Sequence, residues 1–368
     1  MSDSTDRSFP PFVLSCPTPL TAGASRITLA HGEGGRQMRR LVQERIVKRL
    51  AGSNRGASPP STTGILARLA DAAQLPRPAG LIAYTTDSFV VTPLFFPGGD
   101  IGELAVYGTV NDLAVSGAVP RWMTLSLIIE EGLSLDILDR VLDSVARAAS
   151  LANVEIVSGD TKVVPRGAAD GLFVNTSGIG DLIEPIPVGP HSLEPGDVLL
   201  VSGPIGRHGL AILAARENLG FEPAPTSDCA PLTDVMAALR AGGVTIRAAR
   251  DATRGGVAAV CQEWAEASGH TLTLEERLLP TTPEVRGACE LLGVDPLFLA
   301  NEGTLVVAVP ARFAERALAA MRAVANSAGA TRLGTVVPRG IAAVTVRGLL
   351  GSERPLDEPQ GGMLPRIC

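Results

Sequence analysis

The chain has 368 residues, of which 45% are hydrophobic, 19% charged and 4% aromatic; this balance excludes disordered and fibrous classes and fits a globular protein of about two domains with a cleft between them. Its 32 Lys and Arg stand against 38 Asp and Glu, a formal charge of −6, so no positive field exists to attract nucleic acid. The 5 cysteines, Cys16, Cys229, Cys261, Cys289 and Cys368, show no CxxC pair or zinc spacing, which fits reduced thiols in the cytoplasm. No apolar run approaches the ~18 residues of a membrane span, and Phe12-Val13-Leu14 is too short for a signal-peptide core.

Residues 1–26 are polar and Pro-rich and read as a mobile extension. Met38, Leu41, Val42, Ile46 and Leu50 recur at helical spacing, so an amphipathic helix follows the His31-Gly32-Glu33-Gly34-Gly35 loop. Then come a strand at 81–85, a helix at 101–117, a strand at 123–129, a helix at 135–152, and strands at 154–157 and 172–179. This alternation defines a first α/β domain over 27–185, closed by the Pro- and Gly-dense 184–190 connection. A second set over 186–347 has a strand at 198–201, helices near 210–218, 232–241 and 257–267, a strand at 304–309, a helix at 312–325 and strands toward Val346. The fold class is therefore α/β, or α+β by grouping, in two domains. Residues 348–368, rich in Gly and Pro, read as a flexible tail that resists both helix and sheet and ends in Cys368.

Acidic residues and glycines gather where strands are expected to end: Thr86-Asp87-Ser88, Asn111-Asp112, Gly159-Asp160-Thr161-Lys162 and Asp251-Ala252-Thr253-Arg254-Gly255-Gly256. Carboxylate oxygens at strand ends are the donors that Mg2+ on a polyphosphate needs, so the four spots together point to a Mg-nucleotide site. Each acid alone fits a turn or a helix N-cap as well. Lys48 and Lys162 are the chain's lysines; Lys48 reads as a surface helix residue, and Lys162, beside Asp160, is a candidate contact for the transferred phosphate. GxxxxGK[ST] and G-x-G-x-x-G are both absent, which excludes a P-loop and disfavours a dinucleotide fold. Backbone amides of the His31-Gly32-Glu33-Gly34-Gly35 loop suit either phosphate or helix capping. Glu302, in Asn301-Glu302-Gly303, is either a general base or a solvated loop carboxylate. The Cys368 thiol, on a Gly/Pro arm, has the reach to enter an active site.

Taken together, Asp87, Asn111-Asp112-Leu113-Ala114, Gly159-Asp160-Thr161-Lys162-Val163-Val164, the Asp251–Gly256 run and Pro365-Arg366-Ile367-Cys368 resemble the HypE family of NiFe-hydrogenase maturation factors, the carbamoyl dehydratases. That family is similar to aminoimidazole ribonucleotide synthetase and selenophosphate synthetase. The resemblance spans residues 27–368. It implies a homodimer whose N-terminal domains form a shared barrel with an ATP site. It further implies that a carbamoyltransferase, HypF, loads Cys368, that ATP dehydrates the carbamoyl group to a thiocyanate, and that the cyanide goes to iron on a HypC–HypD complex. By the same resemblance Lys162 neutralises charge on the reacting oxygen and Glu302 takes the N–H proton. Asp87, Asp112, Asp160 and Asp251 hold Mg2+ and ATP, with Asn111, Thr161, Thr253, Gly255, Gly256, His31, Gly32, Gly34 and Gly35 shaping the nucleotide pocket. Two other readings are a sister activity such as selenophosphate synthesis, which calls for a Cys and a Lys in the N-terminal Gly-rich loop that are absent here, and a regulatory dimer whose tail only docks.

Overall fold

The computed structural model describes residues 25–32, 36–50, 75 and 80–357. The extension through residue 24, Gly34, Gly35 and the tail from 358 to Cys368 lie outside the described residues.

The N-terminal helical segment runs through α1 (Arg36–Leu41), a π-helical Val42–Val47 and α2 (Lys48–Leu50). Leu41, Ile46 and Leu50 are buried along it, while Arg49 bonds Asp143 at 2.8 Å and Arg45 pairs with Asp139. Strands β1 (Ile82–Phe89), β2 (Phe95–Phe96) and β3 (Gly99–Asp100) precede helix α3 (Ile101–Val115), strand β4 (Ala118–Glu130) and helix α4 (Leu135–Leu151). Strands β5 (Glu155–Val164) and β6 (Leu172–Leu182) complete this half. Four of these strands form one sheet in the order β1-β6-β4-β5, in which only β4 and β5 run parallel. Strand β4 shows why the sheet lies as it does. Met123, Leu125, Leu127 and Ile129 are buried beneath the helices, and Ile128 between them is 40% exposed. Period-two burial of this kind marks a sheet packed on one face and open on the other.

Helix α3 is buried on all sides, as an almost uniformly apolar helix must be. It packs on β1, β6 and α4, and its end, Ala114 and Val115, enters the core of the second half. Asp100 starts it by accepting from the amides of Gly102 (2.8 Å) and Glu103 (3.1 Å) and from the Ser144 hydroxyl of α4.

The second half contains β7 (Val198–Val201), α5 (Arg207–Glu217), α6 (Thr233–Ala241), β8 (Ala248–Asp251), α7 (Gly256–Ser268) and β9 (Thr271–Glu275). It continues with α8 (Pro283–Leu292), β10 (Leu305–Val309), α9 (Ala314–Arg322), β11 (Thr331–Val337), β12 (Val344–Arg347) and β13 (Glu353–Pro355). Its seven strands are ordered β13-β12-β9-β11-β7-β10-β8, all antiparallel except β12 on β9. On β7, Leu199 and Val201 join the cluster around Trp264 of α7, whereas Val198 and Leu200 join Leu239 and Met321 of α6 and α9. Layers on both faces explain why the strand reads as an unbroken apolar run.

Three expectations change. The strand expected at 154–157 runs on to Val164, so Asp160, Thr161 and Lys162 lie within it rather than past its end. The tail expected to resist regular structure contributes β13, whose Glu353 and Arg354 pair with Arg347 and Val346. Short strands β2 and β3, with β9 and α8, were absent from the sequence reading. Among the described residues no helix is long and apolar enough to cross a membrane.

Because Asp100 satisfies two helix-start amides and a buried hydroxyl, Asp100→Ala is expected to cost about 1–3 kcal/mol. Chemical denaturation of the purified variant measures this.

Candidate active site

A cleft of about 590 Å³ between the two halves is lined by Asp87, Asp112, Asp251, Thr253, Arg254 and Glu302 among others. Asp87 sits on the helix-covered face of β1 and accepts from Thr109 of α3 at 3.2 Å. Asp112, on the same helix, accepts from Thr85 at 2.8 Å. Asp251 closes β8, where it lies opposite Leu305 at the start of β10, and Glu302 stands just before that strand. Thus one helix, the interior of one strand, the end of another and one loop bring four carboxylates toward a common point.

Their electrostatics follow from crowding. Burial, then the neighbouring Asp112 carboxylate, pushes Asp87 up to about 6. Asp251 is pushed up to about 7 by burial and again by Asp112. Glu302, only 3% exposed, is held well above the ordinary carboxylate range by burial and then by Asp251 and Asp228. Buried like charges without a cation keep protons. The expectation of a solvated loop acid at Glu302 is therefore replaced by a buried one.

The loop carrying Glu302 is bonded on every side. Its amide donates to Asp228 Oδ1 at 3.0 Å, that of Gly303 to Asp228 Oδ2 at 3.0 Å, and the Thr304 hydroxyl to the same oxygen at 2.8 Å. A Cβ on Gly303 would lie 1.8 Å from the Asp228 carbonyl oxygen, so no larger residue fits there. Asn111, expected at the nucleotide, has its amide engaged within the protein. It donates to the carbonyls of Ala230 (3.1 Å) and Glu302 (3.3 Å) and accepts from the amide of Leu232 (2.7 Å). Thr253 lies at the cleft wall. The Gly255-Gly256 turn opens α7, and a Cβ on Gly256 would come within 2.5 Å of the Leu297 and Leu299 carbonyls.

The remaining expected residues lie elsewhere. Registers run Asp87 to Thr176, Thr176 to Leu125 and Leu125 to Gly159, across the whole sheet. Asp160 and Lys162 are thus on the opposite edge strand, about 14 Å away at ~4.8 Å per strand. They are 58% and 65% exposed and paired at 3.5 Å. Thr161, between them, is buried. His31 and Gly32 belong to this second group, since Gly32 rests against Val163 and His31 is buried with Nδ1 at 3.0 Å from the Thr28 hydroxyl. The four aspartates expected to share a metal are consequently split three and one by the strand order. Among the described residues no group of three or more His, Cys, Asp or Glu is set to hold a metal ion. Nor do the acids all mark strand ends: Asp87 and Asp160 are within strands and Asp112 within a helix. Gly34, Gly35 and Cys368 lie outside the described residues. Asp228 was missed, since an acid in an aperiodic Ser-Asp-Cys loop carries no local signal.

Asp251 binds its proton more tightly folded than unfolded, so its contribution to stability is complete below about pH 3.8 and is lost as pH rises to about 7. Asp251→Asn should therefore stabilise the ligand-free protein, with a gain growing by about 3 kcal/mol between pH 5 and pH 8 at ~1.4 kcal/mol per unit. Urea melts at the two pH values check this, and an equal gain at both would contradict it.

Family models for AIR synthase related proteins match the chain twice, the N-terminal domain over residues 69–182 and the C-terminal domain over 194–347. Carbamoyl dehydratase HypE of Rhodobacter capsulatus is 49% identical over 343 residues, covering 93% of this chain and 98% of that protein. A solved structure of hydrogenase maturation protein HypE in complex with ATP superposes with a TM-score of 0.85 at 43% identity, over 93% of this chain and 99% of the other. One of a HypE–HypF complex matches at 0.73 and 46% identity, over 76% and 90%. The two sheet-and-helix halves, the acidic cleft between them and this likeness over nearly the whole length place the chain in the AIR synthase-related family, among the carbamoyl dehydratases of the HypE type.

Proposed function

We propose that this carbamoyl dehydratase uses ATP to convert an S-carbamoyl group on Cys368 into a thiocyanate that becomes a cyanide ligand of the NiFe-hydrogenase iron. The observation that carries the reading is the buried Glu302 among Asp87, Asp112 and Asp251 in a cleft roomy enough for polyphosphate. A carbamoyl oxygen is a poor leaving group. Its attack on the γ-phosphorus expels ADP and, with loss of one N–H proton, leaves an imidate O-phosphate. Glu302 then takes the second N–H proton, the C–N triple bond forms, and the C–O bond breaks to release phosphate. Lys162 balances charge on the reacting oxygen and on phosphate. Thr253 and the Gly255-Gly256 turn, whose Gly256 amide is bonded to the Thr253 carbonyl at 2.9 Å, would line the phosphates, together with the His31 to Gly35 loop of the second copy.

Burial and the Asp112 carboxylate raise the proton affinity of Asp87 and of Asp251, a crowding of hard oxygens that a divalent cation sharing them with phosphate oxygens would relieve. Asp87, Asp112 and Asp251 would hold Mg2+, which supplies charge neutralisation for the polyphosphate when bound. Asp160 joins them only from a second copy. That arrangement has support in the open sheet face, where Ile82 (47%), Tyr84 (65%) and Ile128 (40%) are exposed. Pairing two such faces as a barrel brings the Asp160-to-Lys162 edge of one protomer toward the cleft of the other, so the homodimer is the active unit. The domain limits are taken as 27–185 and 186–347, with the second sheet drawing its edge strand β13 from beyond residue 347. HypF, bound by the related protein, is the proposed carbamoyl donor here, and a HypC–HypD complex the cyanide acceptor.

Intact-mass analysis after incubation with HypF, carbamoyl phosphate and Mg-ATP should show carbamoyl gain followed by loss of one water, both absent in Cys368→Ala. Lys162→Ala should accumulate the carbamoyl form, and thiocyanate formed at the normal rate would remove Lys162 from the reaction. Mixed Lys162→Ala and Asp112→Asn protomers should regain about a quarter of wild-type turnover, one site in half of the dimers, whereas a single-protomer site would regain none.

A further inference from the structure

Asp228 takes no part in the reaction above, yet its carboxylate takes three donors from consecutive residues of the loop that carries Glu302. On the other side of the same residue, the Glu302 carbonyl accepts from the Ala230 amide (3.3 Å) and from Asn111 Nδ2 (3.3 Å). Both peptide groups flanking the Glu302 Cα are therefore fixed. The element that fixes them is itself seated. Ser227 Oγ lies 2.9 Å from His208 Nδ1 and accepts from the Cys229 amide at 3.0 Å, and the Ser227 amide donates to the Pro97 carbonyl at 2.8 Å. Leu232, at the far end of the loop, is tied to Asn111 at 2.7 Å.

Three hydrogen bonds on one carboxylate, two from amides and one from a hydroxyl, with the close approach of Gly303 to the Asp228 carbonyl, restrict the Glu302 Cα beyond what chain continuity requires. Displacement of about 1 Å in a reacting group costs on the order of 100-fold in rate. We infer that Asp228 is a positioning residue for the dehydration, acting through Glu302 by clamping residues 302–304, with Asn111 closing the clamp from the N-terminal half.

The inference rests on Glu302 being the base, and the test separates the two. The full-length chain is loaded with carbamoyl by HypF, and single-turnover dehydration is followed by intact mass in Asp228→Asn, Thr304→Val, Glu302→Gln and the two double variants with Glu302→Gln. Asp228→Asn keeps the size of the side chain but turns one acceptor into a donor facing the Gly303 amide or the Thr304 hydroxyl, and a 10- to 100-fold slower step is expected, with ATP affinity unchanged. Thr304→Val removes one of the three bonds without changing shape and should slow the step several-fold, which keeps the test open if Asp228→Asn does not fold. In the Glu302→Gln background neither substitution should slow the reaction further, because the group they position is gone. Slowing by the same factor in both backgrounds, or a loss confined to ATP affinity, would overturn the positioning role and leave the base assignment standing. A wild-type rate in Glu302→Gln would overturn the base assignment and the inference with it.

Discussion

Everything else in the molecule is arranged around one constraint: helix α3 has no solvent face. An apolar helix of 15 residues that is buried all round has to be covered by two sources of apolar surface. Here the four-stranded sheet with α4 covers one side, and the core of the second half covers the end at Ala114 and Val115. The polar residues on this helix, Thr109, Asn111 and Asp112, therefore have to find partners inside the protein. Thr109 reaches Asp87, Asp112 is met by Thr85, and Asn111 spans to the second half. The cleft is the place where those obligations meet.

Two kinds of polar residue share that place and do different work. Asn111 and Asn301 are saturated by backbone groups; Asn301 accepts from Gly206 and donates to the carbonyls of Ala252 and Leu299. They make the junction rigid. Asp87, Asp251 and Glu302 are buried and crowded by other carboxylates, which costs folding free energy. The junction thus sets rigid, satisfied asparagines beside crowded carboxylates, a crowding that the proposed cation would relieve.

Much of this was legible in the sequence, and the parts that were not share a cause. Strand β7 and helices α3, α4 and α7 could be read because burial writes a pattern into their own residues. Strands of two or three residues, β2, β3 and β13, are too short to hold a period. The acidic motifs named three carboxylates that line the cleft, Asp87, Asp112 and Asp251, but not that Asp160 and Lys162 stand on the far edge from Asp87, because the order of strands in a sheet is a non-local property. Glu302 sits between Asn301 and Gly303, a polar trio that looks like surface, and only the clamp by Asp228 and Asn111 makes it interior. The family resemblance supplied what periodicity lacked, yet it too named Asn111 for the nucleotide when its amide is spent on joining the two halves.

The crowding of carboxylates in the cleft has a bearing on selectivity. Burial first, and mutual repulsion second, make the acids of this pocket keep protons, and the same two effects would oppose an uncompensated polyphosphate. If the cleft holds the nucleotide as proposed, entry would be favoured for one whose charge arrives already balanced. Such a cleft would discriminate by what accompanies the phosphates as well as by their shape, and bare nucleotide, however abundant, would be kept from occupying it unproductively.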